Sequence, residues 1–328
     1  MTGAKQGFPA LIDPVDGRAL VANNYGLSAG GNTYPVISGI PRLVPQMGQY
    51  ASAFGDQWNR WQLTQLDSHT GVPISRDRLL RCLGHELVAA LQTADRSFQV
   101  LEAGCGAGRF TEVLLQLPAV QLTSVDLSSA VEANQRNFPQ DGRHRIVQCD
   151  VCRPPFAEGS FDVVVCLGVI QHTPNPEHTI AQLYRMVRNG GWLVIDHYAP
   201  SWRHWTKVSA LLLRPVIKRL PPAVRMKACE ALTTAFLPMH RAVRRVPRLQ
   251  QVLSRVSPLL TYYQAHPSLE DHHQREWALL DTHDHLADWY KHLRTPHQIN
   301  ETLQRLGAVN ILCAPGGNGV EARCSRQA

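Results

Sequence analysis

Between Val100 and Phe110 the chain reads V-L-E-A-G-C-G-A-G-R-F: an apolar run ends at Glu102, and Gly104, Gly106 and Gly108 follow at alternate positions. Glycines so spaced let the backbone turn sharply and let a ligand come close to the main chain. A helix beginning just beyond them aims free N–H groups at a negatively charged partner. Two acids stand downstream, where further apolar runs end: Asp126, 22 residues after Gly104, and Asp150. A carboxylate at the end of the second strand is placed to accept both hydroxyls of a ribose. His172, four residues beyond Gly168, and His197 follow the next two apolar runs. A neutral imidazole at either place could take a proton from a nucleophile.

Seven of the fifteen histidines fall in 266–297. If 281–292 is helical, Asp281, His285, Asp288 and His292 share one face. That face could be a polar stripe toward a substrate, a metal site or a solvated surface. No multi-ligand spacing stands out, so no metal is expected. Tyr290, His292 and Arg294 are the pocket candidates of this stretch. Cys149 and Cys152 fit the letter of C-x-x-C, but one lies in a strand end and no second pair exists, so the match reads as coincidence.

The elements that must position these groups are legible as periodicity. Apolar strands are expected at 98–104, 120–127, 144–150, 161–168 and 191–198, with helices at 108–117, 128–137 and 176–188 between them. Such alternation predicts a parallel, doubly wound α/β sheet. Leu79, Leu80, Leu83, Leu87 and Leu91 recur at helical spacing before it. A helix near 295–306 and strands 308–315 and 319–326 follow, the last two joined as a hairpin by Gly-Gly-Asn-Gly. Residues 1–48, rich in Gly, Pro and Asn, read as a small β-rich unit.

The sequence has 328 residues, 44% hydrophobic and 18% charged, enough for a core without disulfide or metal staples. Wholesale disorder is excluded by that composition, and no apolar run approaches the roughly 18 residues of a membrane span. The start MTGAKQGFPALIDP lacks the pattern of a signal peptide, and eight scattered cysteines suit reduced thiols in the cytoplasm. The net charge of +7 is concentrated in residues 203–255, which hold twelve Lys/Arg against one acid, Glu230. Three readings of that segment stay open: a helical lid over a substrate pocket, a membrane-surface contact through mixed apolar and basic helices, or, with the least support, a nucleic-acid contact.

The order Gly104-x-Gly106-x-Gly108 differs from the G-x-G-x-x-G of dinucleotide folds. With the acids after strands two and three, it resembles the S-adenosylmethionine site of class I methyltransferases. The run 161–198 and the closing L-L-D-T-H-D…D-W-Y-K-H-L-R-T-P-H-Q-I and G-G-N-G-V-E-A-R resemble the type 11 small-molecule group of that class. The resemblance implies a Rossmann-like sheet with a β-rich N-terminal cap and a helical insertion. It implies that Glu102 to Gly108 shape the methionine end of S-adenosylmethionine, Asp126 holds its ribose, and Leu127, Asp150 and Val151 meet its adenine. Leu167 and Ile170 would flank the sulfonium. The L-I-D13-P-V-D16-G-R-A-L and Y34-P-V-I-S-G-I-P segments resemble a zinc-ribbon module whose cysteine positions hold Asp13, Asp16, Ser28 and Gly31 here; two carboxylates make a poor zinc site, so a metal-free remnant serving as a structural cap or a docking surface is expected.

The expected organisation is a degenerate ribbon-like module (1–48), a helical connector (49–95), a cofactor-binding core (96–200), a basic helical insertion or lid (201–275) and the end of the core (276–328). The expected activity is methyl transfer to oxygen, ahead of nitrogen or carbon, of a small organic or glycan-type acceptor. His172 is the provisional base, His197, Tyr290 and His292 are further catalytic candidates, and no obligatory protein partner is evident. The rivals are an RNA methyltransferase using the basic segment and a non-catalytic docking protein on the same fold.

Overall fold

The computed structural model describes residues 7–44, 49–93, 96–201 and 207–328. The first six residues of the start read for a leader, and the first part of the basic segment, lie outside them. Six strands carry the centre: β6 (Phe98–Ala103), β7 (Val120–Asp126), β8 (His144–Cys149), β9 (Phe161–Cys166), β10 (Val187–His197) and the returning β12 (Gly319–Arg326). With β11 (Ala308–Gly316), β5 (Ile40–Leu43) and β4 (Val36–Ile37) they form one sheet in the order β11-β12-β10-β9-β6-β7-β8-β5-β4. The run from β10 to β5 is parallel, and β12, β11 and β4 pair antiparallel at its edges.

Successive residues of these strands serve opposite faces. Leu101, Val164 and Leu193 pack with Ile180 and Leu183 of α7 (Pro176–Met186) and with Ile299 and Leu303 of α12 (Pro296–Arg305). Their neighbours Val100, Val163 and Val194 pack on the other face against Leu79, Leu83, Leu87 and Leu91. Helices on both faces explain why the strands are continuous apolar runs instead of alternating ones. Strand order reverses between β6 and β9, and a doubly wound sheet opens a ligand crevice at such a reversal, beyond the carboxyl ends of its strands.

Three expectations need correction. The leucine run is two helices, α3 (Ile74–Leu83) and α4 (His85–Thr93), because Gly84 adopts φ 76° between them. The β-rich N-terminal unit is not wholly separate. Strands β1 (Val21–Asn23), β2 (Gly26–Ala29) and β3 (Asn32–Tyr34) form their own small sheet, but β5 pairs with β8 and joins the main one. The stretch 281–292 is not one helix: α11 spans Asp271–Ala287, and Asp288 is already extended. Arg214 takes both the carboxylate and the carbonyl of Asp288, each at 2.9 Å, which draws this residue out of the helical path.

The ribbon-like reading of residues 1–48 finds no support beyond the sequence. The Asp13 carboxylate is buried and accepts hydrogen bonds from Tyr34 Oη (3.0 Å), Asn32 Nδ2 (2.9 Å) and the Val15 amide (2.7 Å). Asp16 accepts from the Arg18 amide at 3.0 Å. Both acids hold turns together.

Four helices lie between β5 and β6, α1 (Gln49–Arg60), the short α2 (Asp67–Thr70), α3 and α4. The short α5 (Thr111–Leu114) and α6 (Ala130–Asn137) follow β6 and β7 in turn. The basic segment is helical: α8 (Val208–Ile217), α9 (Pro222–Val243) and α10 (Pro247–Val256). It is pinned to the rest by Arg214–Asp288 (2.7 Å), Arg225–Asp56 (3.4 Å) and Arg241–Asp271 (2.6 Å).

Candidate active site

A cavity of about 1030 Å³ opens at the carboxyl ends of the strands. At one end lies the turn after β6. Gly104 has φ 82° and its missing side chain makes room for Val169, so any Cβ there would overlap that valine. Gly106 faces the cavity across from the Trp58 ring. Asp126, at the end of β7, accepts from the Gly106 amide (3.0 Å) and from the amide and hydroxyl of Ser128 (2.8 and 2.7 Å). Burial pushes its carboxyl above the usual range. Leu127, Asp150, Val151 and Leu167 line the same end. Asp150 accepts from the Cys152 amide at 2.8 Å. An acid, an apolar shelf and a glycine turn thus converge around one space, in keeping with a nucleoside that carries a charged tail.

Two residues of the glycine motif stand outside that lining. Gly108 (φ 103°) is required by packing, since a Cβ there would come 2.6 Å from the Phe138 ring. Glu102 lies beneath the turn, fully buried, and accepts from Thr111 Oγ1 (2.6 Å) and Ser124 Oγ (2.8 Å). It braces α5 against β7, and burial pushes its carboxyl up to about 7.

The sign of that shift gives a stability prediction. A carboxyl held above its ordinary value disfavours the folded state once it ionises, so the penalty is absent below about pH 4.5 and complete above about pH 7. Glu102→Gln keeps an acceptor oxygen and removes the charge. It is expected to melt higher than the wild type at pH 8, by up to about 3 kcal/mol from the size of the shift, and to lose the advantage at pH 5. Melting curves at the two pH values check it; a gap that does not change with pH would show that the charge is not what the site resists.

The other end of the cavity is ringed by titratable groups. His172 is buried just past the end of β9, with Nδ1 3.1 Å from the Tyr290 carbonyl and 3.3 Å from Asp288 Oδ2. A carbonyl only accepts, so Nδ1 carries a proton and Nε2 holds the lone pair in the neutral ring. Burial pulls the imidazole pKa down, but Asp284 and Asp288 outweigh it and leave it above the ordinary 6.5. Asp281 accepts from the Tyr262 hydroxyl, and burial pushes its carboxyl up to about 6. Lys207 donates to the Leu259 carbonyl (2.6 Å) and is pushed down to about 7, chiefly by burial. Arg109, held by Ser75 Oγ (3.0 Å) and Gln65 Oε1 (2.9 Å), completes a ring of both charge signs.

His172, Asp284 and Asp288 bring one ligand atom each within 4.8 Å of one another, as do His69, His273 and Glu276 outside the cavity. In the first group Arg214 already stands 2.7 Å from Asp288 and supplies a positive charge.

Several candidates are placed elsewhere. His197 is buried behind the cavity and its Nδ1 donates to the Tyr198 carbonyl at 2.9 Å. Its neighbour Tyr198 lines the cavity instead. Tyr290 and His292 stack on one another with centroids 5.9 Å apart and do not line it. The Tyr290 carbonyl accepts from His172. Arg294 grips Glu177 through two bonds of 2.6 and 3.0 Å, and Ile170 is core. Of the helical stripe, Asp281 and His285 reach the cavity, while Asp288 acts from behind His172. Sequence reasoning missed Tyr198, Lys207, Tyr262 and Arg109. Arg109 lies inside the Val100–Phe110 run and Tyr198 closes the expected strand 191–198, both without an assigned role; Tyr262 and Lys207 carry no local signal.

The family profile of the methyltransferase domain matches residues 101–195. A malonyl-[acyl-carrier protein] O-methyltransferase of Paenibacillus sp. is 38% identical over 109 residues, which is 31% of this chain and 40% of that protein. A ubiquinone biosynthesis O-methyltransferase of Pseudomonas entomophila is 33% identical over 97 residues, 28% of this chain and 41% of that one. The chain therefore spans about two fifths of the length of these relatives. Among solved structures, the CurJ carbon methyltransferase aligns at TM-score 0.45 and 11% identity over 76% of this chain and 55% of its own. The segment from β6 to β10, which supplies the glycine turn, Asp126, Asp150 and His172, is thus the part of the chain that matches a methyltransferase domain.

Proposed function

We propose that the protein is an S-adenosylmethionine-dependent methyltransferase acting on an oxygen of a small organic or glycan-type acceptor. One observation carries the reading: a single cavity joins the Gly104–Gly106 turn, Asp126 and Asp150 at one end to the His172–Asp288 pair at the other. S-adenosylmethionine supplies an electrophilic methyl group on a sulfonium. Asp126 would hold the ribose hydroxyls, Leu127, Asp150 and Val151 the adenine, and the turn at Gly104–Gly106 the methionine end. His172 would take the hydroxyl proton on Nε2 while Asp288 fixes the ring and offsets the charge it gains. Alignment of the two reactants within the cavity would supply much of the rate. The two relatives named O-methyltransferases favour oxygen over nitrogen or carbon.

Calorimetry tests the reading. S-adenosylmethionine and its demethylated product are expected to titrate, while NAD and ATP give no heat. The reverse pattern would remove the proposal. Binding of the cofactor without labelled-methyl transfer to any acceptor in a cell extract would favour the non-catalytic rival.

A further inference from the structure

Helix α10 is turned inside out. Leu249, Val252 and Val256 recur along one side and are exposed, Val256 by 62%, with Val246 just before them. Its buried residue is polar: Gln250 donates to His240 Nδ1 (2.9 Å) and Thr261 Oγ1 (3.0 Å). Helix α8 packs against α10 and exposes Leu211, Leu212 (70%) and Val216. Trp289 lies beyond it, under the Lys218 ammonium at 5.3 Å. Of the nineteen large hydrophobic side chains exposed among the described residues, seven belong to α8, to α10 or to the residue just before α10, a concentration on two packed helices and not the ordinary scatter of a surface.

Cations border the patch. Arg248 and Arg255 are exposed on α10, and Arg219 and Arg245 are exposed in the turns just after α8 and just before α10. The lone acid of the segment, Glu230, is engaged by Arg60 at 3.3 Å. A second copy would set like charges against one another, and a phosphate backbone would leave the leucines and valines in water. Apolar side chains between arginines suit a surface that offers hydrocarbon beneath a layer of negative charge. No helix among the described residues is long and apolar enough to cross a membrane.

We infer that the α8–α10 ridge is a docking surface for a bilayer containing anionic phospholipid. The ridge is joined to the cavity at both ends: Lys207 immediately precedes α8, Leu260 follows α10 by four residues, and both line it. Docking would therefore set this side of the cavity near the lipid–water boundary. The inference stands whether or not the cavity transfers methyl groups.

Cosedimentation of the full chain with vesicles of phosphatidylcholine, with and without phosphatidylglycerol, tests it. Binding is expected to the mixed vesicles and to weaken with salt. Arg245→Gln with Arg248→Gln should lower affinity about 25-fold, from about fivefold per cation. Leu212→Asp with Leu249→Asp should lower it roughly tenfold or more, because the apolar contact is lost. All four positions are exposed, and unchanged melting temperatures would confirm that the variants fold; Val252→Asp replaces either leucine change that does not. The inference is overturned if mixed vesicles are not bound or if both double variants bind like the wild type. It is equally overturned if sedimentation shows a dimer that Leu249→Asp dissolves, or if RNA is retained and vesicles are not.

Discussion

Replacing Asp126 by alanine is expected to weaken the binding of S-adenosylmethionine by about 10²–10⁴-fold, because each hydrogen bond to a charged acceptor contributes about 1.5–3 kcal/mol and a ribose makes two. The carboxylate is fixed in place by the Gly106 amide and by Ser128, so it needs no rearrangement to receive the sugar. Asparagine at the same position keeps one acceptor and should lose less, on the order of tenfold. The demethylated product carries the same ribose, so its affinity should fall in parallel. Calorimetry of both variants with both ligands decides it, with melting curves alongside because alanine also strips the Gly106 and Ser128 donors of their acceptor. A loss below about threefold, under 1 kcal/mol, in a protein that melts normally would place the ribose elsewhere.

The end of the cavity around the glycine turn was readable because its parts are local. Parallel strands buried on both faces appear in sequence as unbroken apolar runs, and the residues just past their ends must lie along one edge of the sheet. Gly104, Asp126, Asp150 and His172 could therefore be brought together by counting. The opposite end of the cavity offers no such rule. Tyr262, Asp281 and Lys207 sit on a loop, a helix and a helix start, and which side faces the cavity is decided by tertiary packing alone. The choice of His197 over Tyr198 failed by one residue, since neighbours at a strand end point to opposite faces. Tyr290 and His292 were placed by extending a helix that Arg214, 74 residues before Asp288, ends early.

His172→Gln is expected to lower kcat by about 10²–10⁴-fold, the usual contribution of a general base, with cofactor affinity near that of the wild type. The pH profile separates a base from a merely structural histidine. Asp284 and Asp288 hold the ring's pKa above 6.5 against the opposing effect of burial, so the neutral form with its Nε2 lone pair appears only as pH rises past that point. Wild-type kcat/KM should therefore climb through a midpoint above 6.5. Asp288→Asn removes one of the charges responsible, so its midpoint should move down while the Tyr290 carbonyl still orients Nδ1. Asp281, at about 6, is the competing base, and Asp281→Asn should leave the His172 limb in place. If His172→Gln turns over normally, or if the acid limb vanishes in Asp281→Asn and survives in His172→Gln, the proton goes to the aspartate and His172 serves only to close the wall of the cavity.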